Sequence, residues 1–172
     1  MNGLVLAGGY STRMGSDKAL IDYHGMPQYQ YVYGMLEKYC DKVFISAKEN
    51  KYALPTILDL SQYENIGPIN GILSAFKNEE TDWLVVAIDY PLFSDEHILK
   101  LLVPTDTIAN VYFNPETGFY EPFLALYKKA FKGSLVSQID SGINSLQAIL
   151  RTLQIAKIVP KNLEVIKSID YT

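Results

Sequence analysis

The sequence is poor in the residues that carry covalent cross-links and metal cages. It has 1 cysteine, 2 histidines and 1 tryptophan in 172 residues. A single Cys40 excludes an internal disulfide and a zinc-knuckle spacing, and its apolar helical setting reads as a buried structural thiol. His24 and His97 have no second His or Cys at ligand spacing, so both read as surface histidines rather than metal ligands. No apolar run approaches the ~18 to 20 residues of a membrane span, and Met1-Asn2-Gly3 lacks the basic start of a signal peptide. Basic charge is also short: Lys plus Arg is 15 against 19 for Asp plus Glu, a net charge of −4. That argues against a protein that coats nucleic acid. What is abundant is apolar residues, at 48%, enough for one domain over residues 1–172 with a real core. The expectation is a cytoplasmic protein with no membrane or nucleic-acid partner, a monomer or weak oligomer.

Short apolar runs alternate with helical stripes. Gly3–Ala7, Lys42–Ala47, Thr56–Leu58, Trp83–Ile88, Ile108–Phe113, Phe123–Tyr127 and Ile155–Val159 read as strands. The Phe123–Tyr127 run follows its predecessor too closely for a crossover helix, so it is expected to be antiparallel. Gln28–Cys40 repeats apolar residues at helical spacing behind Pro27. Gly67-Pro68 opens a second helix reaching Asn78, with Pro68 at its first position. Ser94 caps a third, with Asp95 and Glu96 in its first turn. Ile143, Leu146, Ile149, Leu150 and Leu153 mark a further helix. The alternation predicts an α/β fold, a mostly parallel sheet covered on both faces. The segment Leu60–Gly67 reads as its longest loop.

In open α/β sheets ligands bind beyond the carboxyl ends of the strands. The residues that follow those ends are Gly8-Gly9, then Arg13 and Lys18, after the first strand, Asp59 after the third and Asp89 after the fourth. The loop from Leu6 to Lys18 is neither a Walker P-loop nor a G-x-G-x-x-G turn. Its glycines nevertheless let backbone N–H groups approach oxyanions, while Arg13 and Lys18 add positive charge. A carboxylate such as Asp89 beyond an apolar central strand is costly unless it is paired or metal-bound. Asp59 is a natural acceptor for a base or ribose donor, or alternatively a solvated loop aspartate.

The string Leu6-Ala7-Gly8-Gly9-x-Ser11-x-Arg13-Met14-Gly15-x-Asp17-Lys18 closely resembles the signature of molybdenum cofactor guanylyltransferases. The resemblance continues in order through Asp22-x-x-Gly25-x-Pro27, Asp59, Gly67-Pro68-Ile69-x-Gly71-Ile72, Asp89-x-Pro91 and Glu121-Pro122-Phe123-Leu124-Ala125-Leu126. It implies a three-layer Rossmann-like nucleotidyltransferase fold and transfer of GMP from GTP to molybdopterin or the molybdenum cofactor, with release of pyrophosphate. It implies GTP contacts from Leu6, Ala7, Gly8, Gly9, Lys18, Asp59 and Asp89. It further implies Mg²⁺ held by Asp89, and catalytic roles for Arg13, Lys18 and Asp89. The Leu-Ala-Gly-Gly form resembles the GTP-using branch, whereas the cytidylyltransferases have Leu-Ala-Ala-Gly. Two other readings share these residues: transfer from CTP or to a different phosphate acceptor, and a nucleotide-binding module without catalysis. The chain departs from the family at Ser46, where asparagine is usual, and in its tail, where Asp170 aligns loosely with the second asparagine of an Asn-hydrophobic-Asn-Thr-Pro segment.

Overall fold

The computed structural model describes residues 1–7, 18–22 and 24–169. Gly8, Gly9, Arg13 and Asp170 lie outside the described residues, as does the side chain of Lys18. Seven described strands form one sheet: β1 (Asn2–Leu6), β2 (Lys42–Ala47), β3 (Thr56–Leu58), β4 (Trp83–Ala87), β5 (Ala109–Asn114), β6 (Phe119–Tyr127) and β7 (Ala156–Ile158). Their order is β3-β2-β1-β4-β6-β5-β7. All pairs are parallel except the two made by β6, which runs antiparallel to β4 and β5. The described helices are α1 (Gln28–Glu37), α2 (Ile69–Asn78), α3 (Asp95–Leu101), α4 (Phe131–Asp140) and α5 (Leu146–Arg151). The mixed, mostly parallel sheet with one antiparallel strand agrees with the sequence reading.

The layers follow from strand alternation. A Cβ added to Gly3 would meet Leu36 of α1 at 3.2 Å, while one added to Gly71 of α2 would meet Leu6 at 3.0 Å. Positions 3 and 6 of one strand face opposite sides, so α1 and α2 cover opposite faces. Lys38, at the end of α1, pairs with Asp95 of α3 at 2.7 Å, placing α3 beside α1. Phe131 of α4 packs on Phe76 of α2, and α5 lies against α4. The central strand β4 is buried throughout, as are Leu4 and Val5 of β1. A parallel strand covered on both faces must be apolar along its whole length.

Several elements differ from the sequence reading. α4 has no counterpart in it. Only Phe131, Leu135 and Ile139 of that helix are buried, a narrow stripe diluted by Gly133, Ser134 and Ser137. α1 stops at Glu37, so Cys40 lies beyond the helix and is half-buried; desolvation pushes its thiol up to about 12, which leaves it unreactive. Leu60–Gly67 is no open loop: Ser61–Ile66 winds into 3₁₀ turns, closed by Gly67 at φ +64°. Pro68 stands just before α2 as its cap. A further 3₁₀ turn, Leu163–Ile166, buries Val165 and Ile166 and packs beside β5. β6 begins four residues before the expected Phe123, because its register on β5 slips between Val111, opposite Ala125, and Tyr112, opposite Glu121. The slip spans Pro122, which has no N–H to give a ladder.

His97 is also not a surface residue; it is 5% exposed. Its Nδ1 accepts the backbone N–H of Ser94 at 3.1 Å, with the Ser94 hydroxyl 2.8 Å away. An Nδ1 that accepts must be unprotonated, so the ring proton sits on Nε2, 3.1 Å from Glu96. Burial lowers the His97 pKa from its ordinary 6.5, against the raising effect of Glu96 and with a lesser lowering by Lys100. A lowered pKa contributes stability that is present above the unfolded value and lost as pH falls through the folded one. Thermal melts of wild type and His97→Gln should therefore converge as pH drops from 7 to 5, the wild type losing about the worth of one helix cap, ~1 kcal/mol. Parallel melting curves across that range would remove the neutral imidazole from the cap.

Candidate functional site

Three parallel strands end at one level. Leu6 of β1 registers with Ser46 of β2 and with Ala87 of β4. One more hydrogen bond extends each edge: Ala7 N–H to the Ser46 carbonyl and Ile88 N–H to the Leu6 carbonyl, both 3.3 Å. These bonds commit the Ala7 N–H and one Leu6 lone pair to the sheet, so the Ala7 carbonyl is the next group outward.

Asp59 leaves β3 on this rim. Its N–H donates to the Ala47 carbonyl at 3.0 Å, and its Oδ1 accepts the hydroxyl of buried Ser46 at 3.3 Å. Asp59 is half-buried, and desolvation raises its carboxyl above the usual aspartate value, opposed by the Ser46 hydrogen bond and by Lys48. Asp89 leaves β4 two residues past Ala87 and is likewise half-buried. Three interstrand steps separate β3 from β4 in the sheet, about 14 Å. The two carboxylates therefore cannot share one ion, but both can engage a single elongated ligand laid across the ends of β2 and β1.

Each aspartate is held by residues to which the sequence reading assigned no role. Asn70 of α2 is 1% exposed. Its Oδ1 accepts the Leu60 N–H at 3.0 Å and its Nδ2 donates to the Leu60 carbonyl at 2.9 Å. The Ser74 hydroxyl, one turn on, accepts the same Leu60 N–H at 3.1 Å and donates to Asn70 Oδ1 at 2.9 Å. The residue after Asp59 is thus clamped to the helix on the opposite side of the loop. A signal was there to read: two polar residues at i and i+4 on the inward face of an otherwise apolar helix. The Asp89 carbonyl accepts the Ile169 N–H at 2.9 Å, so the C-terminal segment reaches this rim. His24, exposed as expected and stacked on Tyr31 with centroids 3.7 Å apart, places Nε2 3.2 Å from the Pro91 carbonyl.

Among the described residues no three His, Cys, Asp or Glu side chains converge on one point. The donor set at Asp89 is oxygen. A carboxylate at a strand end suits magnesium, which takes one or two carboxylates and completes its octahedron with water and substrate oxygens.

Gly71 sets the distance between α2 and this rim. A Cβ there would lie 2.3 Å from the Ser46 hydroxyl. Alanine gains up to ~1 kcal/mol of helix propensity over glycine, yet overpacking costs about 1–3 kcal/mol, so Gly71→Ala should be net destabilising in chemical denaturation. On a Ser46→Ala background, which lacks the clashing oxygen, Gly71→Ala should cost less than it does in wild type; an equal cost would mean that the helix is displaced by something else. Asp59→Asn tests the other side of the site. Because the raised pKa makes the Asp59 charge unfavourable for folding at neutral pH, the variant should melt no lower than wild type at pH 7. Any gain should shrink as pH falls through the raised pKa and wild type protonates.

Comparison with known proteins places the chain in a family. Residues 3–157 match the family described as the MobA-like NTP transferase domain. A molybdenum cofactor biosynthesis bifunctional protein from Synechocystis is 36% identical over 98% of this chain; the chain spans 50% of that relative's length. A molybdenum cofactor guanylyltransferase from Pseudomonas entomophila is 31% identical over 86% of this chain and 80% of its own. The crystal structure of molybdopterin-guanine dinucleotide biosynthesis protein A from Archaeoglobus fulgidus superposes with a TM-score of 0.75 at 23% identity, covering 95% of this chain and 85% of that one. With the match running over nearly the whole sheet and both aspartate-bearing strand ends, the chain belongs to the MobA-like NTP transferase domain family.

Proposed function

We propose that the protein is a molybdenum cofactor guanylyltransferase, using GTP and a molybdopterin or molybdenum cofactor acceptor. The observation that carries this reading is the pair of half-buried aspartates, Asp59 and Asp89, at the ends of β3 and β4 on one rim. Asp59 takes the N–H or O–H donors of the nucleoside, Leu6 and Gly8 present backbone groups to guanine, and Ala7 and Gly9 add further GTP contacts. Asp89 would hold Mg²⁺, which when bound would supply charge neutralisation to the triphosphate.

In the transfer, an anionic phosphate oxygen of the acceptor forms a bond to the α-phosphorus of GTP. The bond from that phosphorus to the bridging β-phosphate oxygen breaks, and pyrophosphate leaves with the electron pair. The nucleophile is already ionised at neutral pH, so no general base is needed. The chain's contribution is positioning and charge: Arg13 and Lys18 stabilise the departing pyrophosphate, and the clamped Asp59 loop fixes the nucleoside end.

Calorimetry with GTP and CTP tests the base assignment; GTP should bind at least about tenfold more tightly, since hydrogen-bonded readout discriminates sharply. Equal affinities would overturn guanine. Asp89→Asn should lower pyrophosphate release on the order of 10²-fold or more with an unchanged melting temperature. Wild-type turnover in that variant would remove Asp89 from the mechanism.

A further inference from the structure

Tyr90, the residue after Asp89, is 5% exposed, and its hydroxyl donates to Glu121 Oε2 at 3.0 Å. Glu121 belongs to β6, the antiparallel neighbour of β4. The last paired residues there are Val86 and Leu124. Carried three residues further, the same register sets Glu121 opposite Asp89. The register slip at Pro122 skips residues 122–124, and beyond it Glu121, Tyr120 and Phe119 pair again with Tyr112, Phe113 and Asn114 of β5. The Pro122 carbonyl is pinned from inside by the fully buried Tyr127 hydroxyl at 2.6 Å. The start of β6 is therefore a fixed platform at the level of the Asp89 turn, and its carboxylate grips that turn through one phenol.

We propose that Glu121 is a positioning residue for metal-dependent nucleotide binding: acting through the Tyr90 hydroxyl, it holds the turn that aims Asp89 at the triphosphate. This rests on the reading of Asp89 as the magnesium carboxylate. Among the described residues, three further bonds on the same turn run from Ile169 N–H to the Asp89 carbonyl, from Phe93 N–H to the Tyr90 carbonyl, and between His24 Nε2 and the Pro91 carbonyl. All three engage backbone. The Tyr90–Glu121 bond runs from a side chain of the turn to the adjoining strand, and Glu121 sits half-buried, where desolvation raises its carboxyl above the usual value and the Tyr90 hydrogen bond opposes that rise. A phenol donating to a carboxylate is a charge-assisted bond, stronger than the neutral bonds around it. Outer groups that orient a metal-binding carboxylate commonly matter 10–100-fold in metal affinity.

The test compares GTP affinity of the full chain by calorimetry with magnesium and with EDTA, and records a thermal melt for each preparation. In wild type magnesium should tighten GTP binding. Tyr90→Phe and Glu121→Ala should each lose about tenfold or more of that gain, while affinity in EDTA and melting temperature stay near wild type. Glu121→Gln keeps an oxygen for the phenol and should stay within about threefold of wild type. The Tyr90→Phe/Glu121→Ala double variant should be no worse than the more affected single variant, because both remove one bond. A full magnesium gain in both single variants overturns the proposal. So does a Glu121→Gln loss as large as that of Glu121→Ala, which would mean that the charge itself meets the ligand. Losses that multiply in the double variant overturn it as well. Wild type that binds no GTP in either condition would instead defeat the functional reading on which this one rests.

Discussion

The level ending of β1, β2 and β4 is the constraint on which the rest depends. Parallel pairing fixes Leu6 against Ser46 and Ala87, and a shift of one residue would turn every side chain to the other face of the sheet. The fully buried β4 cannot shift without exposing apolar surface or burying Asp82 at one end or Asp89 at the other. Hydrophobic burial of the sheet interior therefore also sets the height of the carboxylates on its rim. Register is strongly specified here because both faces of the central strands are covered.

Several described polar groups at the rim bond to other groups of the protein. Ser46 gives its hydroxyl hydrogen to Asp59, Asn70 and Ser74 together take up the Leu60 N–H and carbonyl, and Tyr90 gives its hydrogen to Glu121. Each bond offsets a desolvation cost that would otherwise fall on a half-buried carboxylate or a turning backbone. Gly71 makes the first two possible by letting α2 lie against Ser46 without a side chain between them. The same closeness accounts for a serine at 46: there is little space under α2 at this point for a larger side chain.

Much of this was legible in the residues. Apolar runs marked all seven described strands, and the short connection before Phe123 indicated the antiparallel one. The aspartates after β3 and β4 stand on the rim where the α/β rule places them. The loop signature pointed to the family that the comparisons then gave. α4 was missed because three buried positions among serines, lysine and glycine make a weak periodic signal. The first half of β6 was missed because a proline and an acidic residue look like a loop when the neighbouring strand is unknown. His97 was misplaced because a histidine in the first turn of a helix looks solvent-facing until its reciprocal cap with Ser94 is seen.

The sequence by itself determined the strand–helix alternation, the apolar core and the residues that follow each strand, since these depend on local pattern and side-chain type alone. Only the tertiary structure decided which of those residues share a support. Asn70 holds Leu60 from ten residues away, and Glu121 holds Tyr90 from thirty-one residues away. Such pairings arise from strand order and register, which are fixed by how the buried faces of the whole sheet fit together, and no local pattern encodes them.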